Sequence, residues 1–340
     1  MAEVLEALQP RPCGRYVDGT IGGGGHAAAL LRASAPTGRL FGCDRDGVAV
    51  RAASARLAEF AGRFEIRQGS FAELAGWIEP ESCDGVVFDL GASSPQLDLA
   101  ERGFSFQSDG PLDMRMDPEQ ELTAAALIAE AGAEELAGIF WEYGGEAESR
   151  RIARAIERER RKGPLQRTRQ LAELIERVSP RGGRRAHPAT KVFQALRMAV
   201  NDEIGHLQRG LAAAVEILSP GGRLAVITFH SVEDRVVKKF GSRLSRDYEA
   251  VEPDVPELRR PRAAILKWVQ RKAIVPGEAE LSENPRSRSA QCRVMEKCGK
   301  PTELGRDGGR RAAPTPDVSV QRGVPTIHDS NQEHGSKSKK

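Results

Sequence analysis

The residues whose types and spacing could do chemistry gather around one glycine run and three acids. Tyr16 and Val17 lead into Asp18, Gly19-Thr20-Ile21 follow, and four consecutive glycines, Gly22 to Gly25, open into His26-Ala27-Ala28-Ala29-Leu30-Leu31. The order reads as strand, tight turn, helix. Glycines there let the backbone bend sharply and come close to a ligand. The helix start behind them offers free N–H groups and partial positive charge. Farther on, Leu40-Phe41-Gly42-Cys43-Asp44 is a second short apolar run ending in an acid, where nucleotide-binding α/β folds hold a ribose diol. Gly22 or Gly23 can also begin a G-x-G-x-x-small match, so a nicotinamide dinucleotide suits this spacing too, and a purely structural turn stays open.

A second acid-tipped run, Asp84-Gly85-Val86-Val87-Phe88-Asp89-Leu90, continues into Gly91-Ala92-Ser93-Ser94-Pro95-Gln96. An acid or amide, then a small residue and proline, at such a strand end suits methyl transfer to an exocyclic amine. The lone pair of an aromatic amine is drawn into its ring, so the amine is a poor nucleophile. Hydrogen-bond acceptors on its N–H protons draw the nitrogen towards sp³ and aim the lone pair at a sulfonium methyl. Positioning and electrostatics then supply most of the barrier reduction. No base of shifted pKa is obligatory, because the methylated amine is acidic and sheds a proton readily.

The elements that must position these residues follow from pattern. Strands are expected at 15–18, 38–44, 64–68, 84–90 and 223–229, with helices between them and a helical stripe over Val192–Leu218. The fourth strand is a dense apolar run ending in an acid, which predicts a central strand buried on both faces. The order predicts a doubly wound, Rossmann-like α/β sheet with its ligand across the C-terminal strand edges. Residues 98–187 interrupt it as a helical insertion, with helices over Thr123–Ala131, Ala133–Trp141, Glu146–Lys162 and Thr168–Val178. Ile265–Lys272 and Ala290–Lys297 could supply two last strands. The expected organisation is a discontinuous domain of residues 1–97 and 188–299, an inserted helical domain of 98–187, and a disordered basic tail of 300–340.

With 340 residues, 39% hydrophobic and 29% charged, the chain can bury a sizeable core. No apolar run approaches a membrane span and no secretory leader pattern opens the chain, so the expected location is cytoplasmic. Its five cysteines show no C-x-x-C spacing and read as thiols rather than disulfides or metal ligands. The net charge of +3 conceals a partition. Asp98–Ser149 holds 2 basic and 13 acidic residues, a net of −11, whereas Arg150–Lys191 holds 14 basic and 4 acidic, a net of +10. Glu257–Gly299 adds a net of +5. Basic blocks flanking a cofactor fold point to a polyanionic partner.

Several long stretches then make a specific likeness. Asp18-Gly-Thr-Ile-Gly-Gly-Gly-Gly-His26, Asp89-Leu-Gly-Ala-Ser-Ser-Pro-Gln-Leu-Asp98, Glu101-Arg-Gly-Phe-Ser-Phe106 and Asp109-Gly-Pro-Leu-Asp-Met-Arg-Met-Asp117 occur in order. His187-Pro-Ala-Thr-Lys-Val-Phe-Gln-Ala-Leu-Arg197, Phe229-His-Ser-Val-Glu-Asp-Arg235 and Glu283-Asn-Pro-Arg-Ser-Arg-Ser289 follow. Together they resemble the RsmH (MraW) family of bacterial 16S rRNA methyltransferases. The resemblance implies a class I methyltransferase sheet with S-adenosylmethionine as donor and N4 of a cytidine in the decoding region of 16S rRNA as acceptor. It also implies a substrate met within the assembled 30S subunit. No membrane or metal is called for, and a homodimer is compatible with it.

Carried over by position, the family's cofactor contacts fall on Gly24, Gly25, His26, Asp44, Phe71, Asp89 and Gln96. Asp44 should hold the ribose hydroxyls, Phe71 pack on adenine, and Asp89 face the cationic methionyl end. Asp89, Ser94, Pro95 and Asp113 are the candidate catalytic groups, with Asp117 and His230 as further candidates. Arg102, Arg115, Lys191, Arg197, Arg286 and Arg288 are candidates for RNA phosphates. Two features depart from the family pattern. Its His-x-Pro-Val leader is absent, which suggests a truncated or mis-set start, and its Tyr-Gly-Glu-Glu reads Tyr143-Gly-Gly-Glu146.

Overall fold

The computed structural model describes residues 1–180, 187–250 and 259–299. The expected tail at 300–340 lies outside them. Strands β1 (Arg15–Asp18), β2 (Arg39–Asp44), β3 (Phe64–Gln68), β4 (Cys83–Asp89) and β5 (Leu218–Thr228) pair in parallel in the order β3-β2-β1-β4-β5. Residues Tyr248–Ala250 (β6) and Arg259–Pro261 (β7) form a separate antiparallel ribbon. Leu266–Trp268 (β8) and Gln291–Lys297 (β9) extend the main sheet to β3-β2-β1-β4-β5-β9-β8, with β9 antiparallel to both neighbours.

Period-two alternation divides the apolar side chains between the two faces of this sheet. Tyr16, Val87, Ala225 and Ile227 fall in one core with Ala27, Leu30 and Leu31 of α2 (Gly25–Ala33) and Val4 and Leu8 of α1 (Ala2–Leu8). Val17, Val86, Phe88, Leu224 and Val226 fall in the other. That second face is covered by α10 (Glu203–Ile217) and α11 (Ser231–Leu244). Val86, Val87 and Phe88 are fully buried, as a central strand flanked on both faces requires. Helix α3 (Gly47–Arg56), capped by Asp46 accepting from the Val48 N–H at 2.9 Å, adds Ala53 to the first face.

The interruption after β4 starts with a short helix α4 (Ser94–Asp98) and continues as α5 (Ala124–Glu130), α6 (Ala133–Glu142), α7 (Ser149–Arg160) and α8 (Thr168–Val178). These four longer helices share one core, in which Ile128, Leu136, Phe140, Ile152, Ile156, Leu171 and Ile175 are buried. The next helix, α9 (Ala189–Val200), buries Val192, Phe193 and Leu196 in that same helical core.

The single helix expected over Val192–Leu218 is therefore two. It breaks at Asn201-Asp202, where Asp202 is left-handed with φ 45°. The reason is a polar staple. Buried Asn201 donates from Nδ2 to the Met114 and Arg197 carbonyls at 2.7 and 2.8 Å, and its Oδ1 accepts from the Met116 N–H at 2.7 Å. Residues α12 (Glu278–Glu283) and β6–β7 carry no strong periodicity, and the sequence pattern gave no warning of them. The expected 223–229 strand starts earlier, at Leu218, because a register shift between Cys83 and Gly85 lets β4 pair with both ends of Leu218–Arg223.

Candidate active site

A cavity of about 660 Å³ opens across the C-terminal ends of β1, β2, β4 and β5, where the strand tips and their following turns converge. Gly22, Gly23, Gly25 and His26 line its floor. Gly22 and Gly24 take positive φ values of 50° and 75°, so the turn bends where side chains would be strained. A Cβ on Gly24 would also stand 3.2 Å from the Ala53 Cα, so this glycine sets how closely α2 meets α3. Gly24 itself does not line the cavity. It caps α2 from behind, while Gly25 and His26 face the opening.

The turn is tied to the strand tips by side chains. The Gly22 N–H donates to Asp44 Oδ2 at 2.9 Å and the Asp46 N–H to Asp44 Oδ1 at 2.9 Å. Each carboxylate oxygen keeps acceptor capacity for a ligand diol. Burial pushes the Asp44 carboxyl above its ordinary range, and these N–H donors pull it back. Thr20, which the sequence reading did not single out, accepts from the Asp89 N–H at 2.7 Å and so joins the first turn to the end of β4. Its signal was its place two residues past Asp18, whose Oδ1 accepts from the Thr20 N–H at 3.2 Å.

Asp89 is the polar focus. Its Oδ1 is buried and without a hydrogen-bond partner among the described residues. Its Oδ2 lies 3.8 Å from His26 Nδ1, and the side chain, 34% exposed, opens on the cavity that it lines. Burial raises its carboxyl to about 7. Burial also raises Asp18 to about 7 and lowers His26 to about 4, so His26 is neutral and does not neutralise Asp89. A cavity wall holding an unpartnered carboxylate oxygen fits a cationic ligand.

Phe71, in the 3-10 turn Phe71–Gly76, lines the cavity and packs on Phe88 with ring centroids 4.7 Å apart. Gln96 also lines it. Its side chain is spent locally, accepting from the Ser93 N–H at 2.9 Å and donating to Asp46 Oδ2 at 3.2 Å, and it caps α4. Ser94 lines the cavity, whereas Pro95 and Asp113 do not. Asp113 is clamped by Arg115 through Nε and Nη2 at 2.9 and 2.8 Å, and this guanidinium holds its carboxyl below the usual range. Asp117 caps its own loop, accepting from the Glu119 N–H at 2.9 Å.

The arginines of the motif blocks are mostly structural ties. Arg102 reaches Asp46 Oδ2 at 2.6 Å and the Arg115 and Met116 carbonyls at 3.0 and 3.1 Å. Arg115, besides Asp113, donates to the Pro118 and Gln120 carbonyls. Arg286 is paired with Asp98, and Lys191 donates to the Gly145 carbonyl at 2.9 Å. Arg288 is exposed with no acidic partner among the described residues. Gly145, standing where the family pattern has its first glutamate, takes φ 58°, and Glu146 stays buried beside it.

Arg197 is the clearest case. Largely enclosed at the cavity edge, it forks onto Glu203 at 2.7 and 2.9 Å. Its Nη2 stands 3.4 Å from His230 Nε2, which lies 2.9 Å from Glu233 Oε1. The Glu233 carboxylate only accepts, so it takes the Nε2–H of His230, and the longer approach of Arg197 to the same nitrogen is then a contact rather than a hydrogen bond. Glu233 in turn accepts from the Phe229 N–H at 3.0 Å. One ligand atom each of Glu203, His230 and Glu233 falls within 4.8 Å of the others, and Arg197 supplies the positive charge among them. The sequence signal for this network was the Phe229–Arg235 block at the end of β5.

A sheet ordered β3-β2-β1-β4-β5 and completed by a reversed strand beside β5, with a ligand cavity over its C-terminal edge, defines a class I, S-adenosylmethionine-dependent methyltransferase. The chain belongs to the MraW methylase family, whose model matches residues 1–298. It is 48% identical over 302 residues to a ribosomal RNA small subunit methyltransferase H of Symbiobacterium thermophilum, covering 87% of this chain and 95% of that one. It is 47% identical over 326 residues to the protein of the same name in Xanthomonas campestris pv. campestris, covering 93% and 92%. The Heliobacterium mobile protein of that name is 46% identical over 303 residues, covering 87% and 97%. Among solved structures, a methyltransferase from Streptococcus mutans in complex with SAH aligns at TM-score 0.39 and 11% identity, covering 87% of this chain and 96% of that one.

Proposed function

We propose that the protein transfers a methyl group from S-adenosylmethionine to the N4 amine of a cytidine in the decoding region of 16S rRNA, met within the assembled small subunit. The observation that carries this reading is the Asp89 carboxyl group, which lines the cavity with its buried Oδ1 unpartnered and no cation paired with it among the described residues. An anion without a partner there suits a donor whose methionyl end is cationic. The names of the relatives support the small-subunit rRNA, and the resemblance of the Asp89–Gln96 block supports an amine acceptor.

When bound, S-adenosylmethionine supplies an electrophilic methyl on a sulfonium. The residues around it have the remaining tasks. Asp44 accepts from the ribose hydroxyls with the lone pairs that Gly22 and Asp46 leave free. Phe71, backed by Phe88, covers the adenine. Asp89 balances the charge of the methionyl end. Ser94 Oγ, on the cavity lining, accepts from the amine protons of a cytosine flipped out of its stack. Asp113 holds Arg115 and so shapes the loop that approaches the base. Residues 98–187 form the docking lobe for the RNA. No step needs a metal.

Labelled donor incubated with small subunits tests this directly. Transfer to 16S rRNA, mapped by mass spectrometry to an N4-methylcytidine, and its loss in Asp89→Ala with subunit binding retained, are the expected results. No transfer by the unaltered protein points to a non-catalytic binding factor instead, and calorimetric binding of NAD but not S-adenosylmethionine points to a dehydrogenase.

A further inference from the structure

Helix α7 presents two unlike faces. Ser149, Ile152, Ala153, Ala155 and Ile156 turn inward and are buried. Arg150, Arg151, Arg154, Arg158, Arg161 and Lys162 are all exposed on and just beyond the helix. Arg150, Arg154 and Arg158 recur at i, i+4, i+8, so they stack in one row over two turns and repel one another along the helix. A helix gains nothing from such a row in isolation.

Where an arginine of this helix has an internal task, the task is visible. Arg160 is half-buried and donates to the Ile128 and Ala131 carbonyls at 2.8 and 2.7 Å, closing the end of α5. Arg150, Arg158 and Arg161 have no acidic partner among the described residues. Arg154 has only a 3.8 Å approach to exposed Glu134. Five of the six outward cations are arginine rather than lysine, and guanidinium is the group that grips phosphate oxygens in pairs. Trp141 is 61% exposed at the C-terminal end of α6, which packs on α7 and from which the chain turns into it. An exposed indole on one helix and a row of guanidinium groups on the helix packed against it can meet both parts of an RNA strand, unstacked base and backbone.

We infer that the outward row of α7, Arg150, Arg154 and Arg158 with Trp141 at its head, is the surface that grips the phosphate backbone of the RNA substrate. The inference rests on the proposed function and relocates the RNA contact from the motif arginines. Arg102 and Arg197, tied into carboxylates inside the fold, hold the site together; α7 holds the polyanion.

The test uses the full chain and purified, unmethylated small subunits. Arg150→Gln/Arg154→Gln/Arg158→Gln should raise KM for subunits about tenfold or more, leave kcat near that of the unaltered protein, and flatten the plot of log affinity against log salt by about two to three, one increment per lost phosphate contact. Trp141→Ala should weaken subunit binding without changing that salt slope. Circular dichroism and donor affinity report folding, and relief of like-charge repulsion leaves the triple variant no less stable. Unchanged KM and salt slope in the triple variant overturn the inference. So does a raised KM with an unchanged slope together with crosslinks from α7 to a ribosomal protein, which would make the partner a protein. Subunit binding is measured alongside methylation: if the unaltered protein binds subunits through this row but transfers no methyl, the proposed function fails while the inference stands.

Discussion

At Asp89, burial and charge oppose each other. Its carboxyl titrates near 7 in the folded protein, against 3.8 ordinarily, because ionising it in the cavity wall costs desolvation. The folded state thus holds a proton that the unfolded state has lost, and this group's contribution to stability falls as pH rises from about 4 to 7. A cationic ligand reverses the sense, since it pairs with the ionised form. Donor affinity should therefore rise with pH up to about 7, falling about tenfold for each unit below that. Calorimetric titration of S-adenosylmethionine between pH 5 and 8 reads this directly. Asp89→Asn should flatten the profile and lower kcat on the order of a hundredfold or more. A profile that is the same in both proteins would assign the titration to Asp18, which burial also raises to about 7.

Arg197 makes the contrasting case among the side chains. Removing it leaves Glu203, 9% exposed, without its guanidinium partner and next to Glu233 at 2%. Arg197→Ala should cost about 3–5 kcal/mol of stability by chemical denaturation, the loss typical of a buried pair broken on one side. A phosphate-reading arginine would instead leave the midpoint unchanged and raise KM for RNA. Asp44 and Asp89 were legible in the sequence because a strand that ends in an acid beside glycines points that acid at the ligand edge. Arg102 and Arg197 were not legible as ties. Asp46 lies 56 residues from Arg102, and burial of Arg197 depends on the turn between α9 and α10.

Among the elements, the junction of α9 and α10 couples the helical core to the sheet. Apolar periodicity runs through residues 192–218 without interruption, so pattern alone merges the two helices. What divides them is a hydrogen-bonding demand, because the loop at Met114–Met116 needs polar partners in a buried place and Asn201 supplies two bonds there and a third back to the Arg197 carbonyl. Met114 is itself left-handed at φ 63°, so the staple holds a backbone shape that the loop would not keep unaided. Asn201→Ala leaves the Met114 carbonyl and the Met116 N–H without these bonds and should destabilise the protein by about 1–3 kcal/mol. Met116 lines the cavity, so kcat/KM for small subunits should fall as well, with donor affinity nearly unchanged. Thermal unfolding and titration of the donor separate the two effects. The parallel strands were legible because most are short apolar runs with a polar tip and β3 alternates from Phe64 to Gln68. The α12 and β6–β7 segments were not, since each is short and its sequence carries no period.

For the whole molecule, charge is sorted by region rather than balanced locally. The segment 98–149 carries a net of −11 and 150–191 a net of +10, so the near-zero sum hides a strong field over the helical part. The strand-tip end of the donor cavity is different: Asp44 and Asp89 stand there and Arg197 is neutralised by Glu203, while exposed Arg56 and Arg286 also line the cavity. Added salt screens exposed charges and leaves buried ones largely alone. The two ligands should accordingly respond in opposite measure. Raising monovalent salt from about 50 to about 200 mM should raise KM for small subunits about tenfold or more, because counterions compete for the same phosphates. Over that range the dissociation constant for S-adenosylmethionine should change less than about twofold. Parallel titrations of one preparation measure both. Equal sensitivity of the two constants would mean that the donor, too, is held by exposed charge, and would move its binding away from the strand-tip cavity; insensitivity of both would remove the polyanion from the outer face of the helical part.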